Sequence, residues 1–389
     1  MSNLFDPISI RSINFRNRIG VSPMVQTSSY DGFANNWHLV HLGSRAVGGA
    51  GLVMTEATAV EKKGRISLND LGIWKDAHIP KLLEISSFIK NQGSVPGIQL
   101  AHAGRKASYS SPLDKQGLRA YAPLKKSKGG WETLGPSPIP FEDGGNQPKS
   151  MTENDIKRVI NSFTKAASRA DKAGFELVEI HAAHGYLLHQ FYSPISNKRT
   201  DAYGNDFNGR IQLTLEVAKA VRKVWPPNKV LCFRISFTDW IDGGWVLEDS
   251  IKLCKKLKKI GVDIIDVSSG GTSSKTVAIA KELIEDRDNV EIKSVIPLEP
   301  GYQVHAAELI KQKVKIKTTS VGLITDPQHA QNIVSSKKSD FVFLGRELLR
   351  DPYWPIKAAQ SLNQTKNLSI PGQYYLGWKD LLGVKFRGI

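Results

Sequence analysis

Cysteine is nearly missing from this 389-residue chain: Cys232 and Cys254 are the two that occur. That excludes a disulfide framework and a four-cysteine cluster within the chain, and it fits a reducing compartment. No run of eighteen apolar residues is present, so nothing reads as a membrane span. The opening Met1-Ser-Asn-Leu-Phe-Asp-Pro7 has neither a signal h-region nor an Arg-rich amphipathic pattern, and a cytoplasmic location is expected. HExxH is absent, and no GxGxxG turn follows the first expected strand. Negative charge is in deficit, with Lys+Arg 53 against Asp+Glu 37 and a net charge of +16. Much of the excess lies on one exposed-looking helix face, Lys252, Lys255, Lys256, Lys258 and Lys259, as a solvated surface would. No nucleic-acid motif accompanies it, so no nucleic-acid partner is expected, and the summed field favours anionic cofactors and substrates.

What is present is alternation. After a small hairpin within residues 1–17 come eight short apolar runs at 18–21, 51–57, 95–100, 175–180, 229–235, 263–267, 315–320 and 341–344. Helical patterns fall between them at 37–47, 78–90, 151–172, 207–225, 246–259, 301–311 and 326–335, and one closes the series at 354–361. Thr152 reads as an N-cap, and Gly174 and Gly261 as helix stops. Eight strand–helix units predict an α/β protein built as a single (β/α)8 TIM barrel, with a doubly wound sheet as the alternative. One domain over 1–389 is expected, with a core of about 1–362 and a tail at 363–389. Residues 103–150 and 269–300 are long for connections, and Val277–Ile284 reads as a short helix inside the second. Both follow strand ends, on the face where barrel enzymes keep their sites.

The strand ends carry chemistry. His181-Ala-Ala-His-Gly-Tyr186 follows the fourth run and offers two imidazoles and a phenol to one pocket. That set suits a substrate oxyanion that needs a proton. It also reads as capped loop histidines, or as two metal ligands, although nothing nearby completes a metal site. No metal is expected. Gln99 and His102 end the third run, and Ser22-Pro-Met-Val25 and Glu56-Ala57 end the first two. Arg234 is a cation on an apolar strand, out of place unless it meets an anion. Gly322, Gly345 and Arg346 follow the last two runs and suit a phosphate.

These pieces resemble the Old Yellow Enzyme family of FMN-dependent oxidoreductases, in its bacterial-type, "thermophilic-like" branch. The resemblance rests on Ser22-Pro-Met24, Thr55-Glu-Ala57, Asp70-Leu-Gly-Ile-Trp74, Ile98-Gln-Leu-Ala-His-Ala-Gly-Arg-Lys106 and Glu179-Ile-His-Ala-Ala-His-Gly-Tyr186. It continues through Ser193-Pro-Ile-Ser-Asn197, Arg199-Thr-Asp-Ala-Tyr-Gly204, Pro300-Gly-Tyr-Gln303, Val321-Gly-Leu-Ile-Thr-Asp326 and Gly345-Arg-Glu-Leu-Leu-Arg-Asp-Pro352, in one order over nearly the whole chain. It implies FMN, held non-covalently, at the mouth of the barrel. Ser22, Pro23, Met24, Val25 and Ala57 would border the isoalloxazine, with Gln99 and Arg234 on its polar edge and Gly322, Gly345 and Arg346 on the phosphate. His181 and His184 would bind the carbonyl oxygen of an enone, and Tyr186 would protonate carbon. NADPH or NADH would be the reductant.

The chain departs from the branch at three places. Val25 stands where a cysteine is usual, Thr27 where a substrate-facing tyrosine is frequent, and Leu376 where an arginine often reaches a neighbouring subunit. An ene-reductase is the expected activity, with a small-molecule enone as partner and a homo-oligomer as a further possibility. The alternatives are a dehydrogenase or demethylase on the same barrel, and a flavin-binding protein that has lost catalysis.

Overall fold

The apolar runs fold into a barrel because most are buried on both faces, the situation that makes parallel strands read as continuous rather than alternating. In the computed structural model, residues 2–111, 122–274 and 296–388 are described. An antiparallel hairpin of β1 (Ile8–Ile10) and β2 (Ile13–Phe15) comes first. The barrel then uses β3 (Ile19–Val21), β4 (Leu52–Ala59) and β5 (Val95–Ala101). A minor pair, β6 (Leu134–Gly135) and β7 (Lys149–Ser150), lies in the long third connection. The barrel resumes with β8 (Leu177–Ala182), β9 (Val230–Ser236), β10 (Ile264–Ser268), β11 (Lys317–Ser320) and β12 (Phe341–Leu344). All neighbours are parallel, and β12 pairs back onto β3 to close the ring.

Helices cross between the strands: α1 (Asn36–Val47), α2 (Ile79–Asn91), α3 (Glu153–Lys172), α4 (Leu187–Tyr192), α5 (Phe207–Val224) and α6 (Leu247–Ile260). They continue as α7 (Val304–Val314), α8 (Pro327–Ser335), α9 (Arg346–Arg350) and α10 (Trp354–Ser361). The expected N-cap holds, since the Thr152 hydroxyl accepts the Asp155 N–H at 3.2 Å. Gly261 takes the left-handed conformation at the end of α6, and Gly174 takes it just beyond α3.

Two cores result. One lies between the helices and the outside of the barrel. The other fills the lower interior, where Ile8, Ile10, Ile13 and Phe15 of the hairpin pack on Leu52, Val95, Leu177 and Phe341. The hairpin therefore seals the N-terminal end of the barrel and leaves the C-terminal end as the open mouth. Above that seal the interior turns polar. Strand register stacks Gln99, Glu179 and Cys232 in one row, and His181, Arg234, Asp266 and Thr319 in the next.

Some boundaries differ from expectation. β8 runs to Ala182, so His181 is a strand residue rather than the first of a loop. The helix expected from Gly301 starts at Val304, because Gly301 has φ +81° and Gln303 caps the helix. The six residues of α4 are all buried and show no apolar period, so sequence pattern did not reveal it. In the tail, β13 (Ser369–Pro371) pairs with β14 (Lys385–Arg387), and Leu368 and Ile370 join the outer core. The helix expected over Val277–Ile284 lies outside the described residues.

Candidate active site

β8 delivers His181 into the mouth, and a tight turn then places His184 and Tyr186 against it. The turn needs left-handed backbone at His184 (φ +57°) and Gly185 (φ +68°). At Gly185 a Cβ would sit 2.0 Å from the Gly271 carbonyl oxygen, so glycine is required both for space and for conformation. The His181 and His184 rings lie 5.1 Å apart, and those of His181 and Tyr186 lie 5.0 Å apart, all edge to face. Burial first, and the charges of Arg234 and Lys106 with it, hold both imidazoles well below the usual histidine range. They are therefore neutral at pH 7, each with one N–H to give. His184 Nε2 lies 2.7 Å from Ser268 Oγ, and the buried Nδ1 of His181 has no hydrogen-bond partner among the described residues.

Lys106 locks this turn from the third connection. Its ammonium donates to the carbonyl oxygens of His184 at 2.9 Å and Gly271 at 3.2 Å, and lies 4.9 Å from the centre of the Tyr186 ring. Below the turn, Gly185 N–H donates to His189 Nδ1 at 2.9 Å, and His189 Nε2 meets Asp239 Oδ1 at 2.7 Å. The second Asp239 oxygen accepts from Ser193 Oγ and Trp245 N–H, and the Thr272 hydroxyl donates to the first. Burial works to raise the Asp239 carboxyl, but His189 and these hydrogen bonds outweigh it and hold it below the carboxylate range. This fully buried dyad ties the connections after β8, β9 and β10 together.

The remaining strand ends converge on Arg234. Its Nη1 donates to Ser22 Oγ at 3.2 Å, and its Nε lies 3.3 Å from Asp266 Oδ2. That second contact is an ion pair by distance but not an aligned hydrogen bond, since both atoms stay without a hydrogen-bond partner. Gln99 Nε2 donates to Glu179 Oε1 at 2.7 Å. Gly345 is not crowded: a Cβ there would meet Met24 Sδ at 3.6 Å and Ser22 Cβ at 3.9 Å, both ordinary contacts. Gly322 packs under Tyr302, whose hydroxyl feels the charges of both Arg346 and Arg234. Ala57 and Tyr186 line one small cavity. Val25 is exposed beside Pro23 and Met24. Thr27 turns its hydroxyl onto the Gln26 carbonyl oxygen at 2.8 Å.

Sequence reasoning assigned no role to Glu179, Asp266, Lys106, Ser268 or Tyr302. For the first two a signal existed. Each is a charge inside an apolar run, the same feature that marked Arg234. Among the described residues no three His, Cys, Asp or Glu side chains gather as a metal site would require.

Comparison with known proteins follows the same lines. Residues 3–365 match the model of the NADH:flavin oxidoreductase / NADH oxidase family. An NADPH dehydrogenase from Geobacillus sp. (strain WCH70) is 42% identical over 378 residues, covering 97% of this chain and 98% of that protein. One from Bacillus licheniformis is 43% identical over 382 residues, covering 97% and 100%. Among solved structures, morphinone reductase superposes with a TM-score of 0.73 at 24% identity, over 92% of this chain and 90% of that one. The old yellow enzyme homologue from Zymomonas mobilis gives 0.71 at 22%, over 92% and 93%. At such identities the likeness is one of fold.

The His189–Asp239 brace has a measurable weight. Asp239→Ala strands a buried histidine, two hydroxyls and an N–H, and should lower the unfolding free energy by about 3–5 kcal/mol. Urea denaturation checks it, and a loss under about 1 kcal/mol would mean the brace is dispensable.

Proposed function

Because the chain belongs to the NADH:flavin oxidoreductase / NADH oxidase family, we propose that this NADPH-dependent flavin oxidoreductase reduces the C=C bond of α,β-unsaturated carbonyl compounds. One observation carries the reading: two neutral imidazoles and a phenol packed ring to ring at the barrel mouth, above a buried guanidinium.

FMN, bound non-covalently, is the family's cofactor, and the residues here fit it. Arg234 makes one aligned side-chain hydrogen bond among the described residues, to Ser22, Gly345 leaves room where a side chain would intrude, and Arg346 is an exposed cation beside it. Pro23, Met24, Val25 and Ala57 would border the ring system, Gln99 and Arg234 its polar edge, and Gly322, Gly345 and Arg346 the phosphate. When bound, FMN supplies hydride transfer, from NADPH to the β-carbon of the alkene.

The chain's own residues do the rest. His181 and His184 give N–H bonds to the carbonyl oxygen as it gains negative charge, with His184 already fixed in position by Ser268, Ser236 and Lys106. Their neutrality matters, because an imidazolium would lose its proton to that oxygen instead of holding it in a hydrogen bond. Tyr186 gives the proton to the α-carbon. The Lys106 ammonium over its ring offsets the charge left on the phenol oxygen. We place the chain in the cytoplasm as one domain with residues 363–389 as a tail. No helix among the described residues is long and apolar enough to cross a membrane.

Arg346→Ala should weaken FMN binding by about 1–3 kcal/mol, the scale of a lost charged hydrogen bond, as read by fluorescence titration of the apoprotein; unchanged affinity would move the phosphate elsewhere. Tyr186→Phe should leave reduction by NADPH nearly intact while slowing cyclohexenone turnover by about 10²–10⁴-fold. Quinones, which need no proton on carbon, should be spared. Stopped-flow measurement of the two half-reactions checks this, and a variant that reduces cyclohexenone at the parent rate would show Tyr186 to be structural.

A further inference from the structure

Directly beneath the proposed flavin site, two carboxyl groups answer to one guanidinium inside the barrel: Asp266 pairs with Arg234, and Glu179 feels its charge. Glu179 and Asp266 are both completely buried. They come from strands on either side of β9, which carries Arg234 between them. Asp266 takes the nearer hold on Arg234 and also accepts a hydrogen bond from Thr319 of β11. Glu179 has weaker company. Its Oε1 accepts Gln99 Nε2 of β5 at 2.7 Å, and its Oε2 accepts the Cys232 thiol of β9 at 3.3 Å. Thr55 of β4 fixes the Gln99 backbone, Ser22 beyond β3 accepts from Arg234, and His181 stands two residues along on the same strand. Gln99 and Arg234 thus each have one end in this buried cluster and the other available to the mouth.

We propose that Glu179 is a positioning residue that couples the cofactor's redox state to a proton: it binds one proton from solvent when the bound FMN is reduced and releases it on reoxidation. The inference rests on the FMN reading above. Two electrons and one proton, the equivalent of the hydride that NADPH supplies, enter the cofactor and leave it with one additional negative charge. Arg234 is then shared among three anions. Asp266 keeps its contact, and the new charge draws on the rest. Glu179 loses most of the attraction that favoured its ionised form and gains a like charge nearby. One further proton converts its carboxylate to the acid. The acid can then donate to the Gln99 amide oxygen, which reverses the polarity of the group Gln99 turns toward the cofactor.

The electrostatics already lean this way. Burial, and after it the charge of Asp266, push the Glu179 carboxyl up to about 8, while Arg234, Gln99 and Cys232 pull it down. An added negative charge nearby raises a carboxyl further. Below the oxidised-state value Glu179 holds its proton in both redox states. Above the reduced-state value it holds the proton in neither. The extra proton is therefore taken up in a window that opens near pH 8 and extends upward from there.

The test is the midpoint potential of bound FMN against pH, on holoprotein and on Glu179→Gln. Each proton taken up with two electrons contributes about 30 mV per tenfold change in proton concentration, so one proton gives about 30 mV per pH unit and two give about 60 mV. The natural chain should show the two-proton slope across the alkaline window, and Glu179→Gln the one-proton slope throughout it. A one-proton slope in the natural chain, or a two-proton slope that survives in Glu179→Gln, overturns the proposal. If Glu179→Gln does not fold, the reduced-minus-oxidised infrared spectrum of the natural chain near pH 8 decides: a protonated-carboxyl band must appear on reduction, and its absence overturns the coupling. A chain that binds no FMN overturns this inference together with the functional reading. Bound, reducible FMN with a one-proton slope overturns the coupling alone.

Discussion

Arg234 is a cation buried inside a barrel, and the architecture of the mouth follows from keeping it there. A buried charge is costly unless paired and hydrogen-bonded. Here the pairing is deliberately incomplete in geometry. Asp266 approaches at 3.3 Å without an aligned hydrogen bond, and Ser22 takes one Nη. What remains is a guanidinium with capacity left on the side that faces the mouth. The same charge, through space, helps keep His181 and His184 neutral. One residue thus prepares both halves of the site: an attractive edge for an electron-rich ring, and imidazoles that stay hydrogen-bond donors instead of becoming acids.

The rest of the fold makes that environment possible. The β1–β2 hairpin closes the lower barrel with three isoleucines and Phe15, so the charged rows sit in a dry interior where electrostatic effects are large. Above them, the backbone of the His184–Gly185 turn is held from below by the His189–Asp239 dyad and from the side by Lys106. Precision at the mouth comes from these buried polar ties between successive connections more than from the helices, which pack against the outside of the barrel.

Much of the fold was legible because the physics is local. Runs such as Phe341–Leu344 are buried on both faces and announce themselves, and the amphipathic face of α3 with its Thr152 cap does the same. α4 was not legible, since a helix of six buried residues has no polar face to set its period. The end of β8 was placed two residues early because His181 and Ala182 do not read as an apolar run, although their burial is complete or nearly so. Within the site, Arg234 was found by asking why a charge sits on an apolar strand. Glu179 and Asp266 answer the same question and went unasked. The roles of Lys106 and Ser268 were beyond sequence reasoning, because each depends on contacts made across the fold, among them those with His184, 78 and 84 residues away along the chain.

The central claim is that the mouth binds a flavin, accepts electrons from NADPH and delivers them to an activated alkene. Anaerobic titration of the purified holoprotein addresses all three parts in one cuvette. About one equivalent of NADPH per bound FMN should bleach the flavin absorbance, and about one equivalent of cyclohexenone should restore it. A chain that holds no flavin even after reconstitution with FMN would contradict the reading of the site. A flavin that NADPH bleaches but that stays reduced in excess cyclohexenone would contradict the assignment of His181, His184 and Tyr186 to enone chemistry.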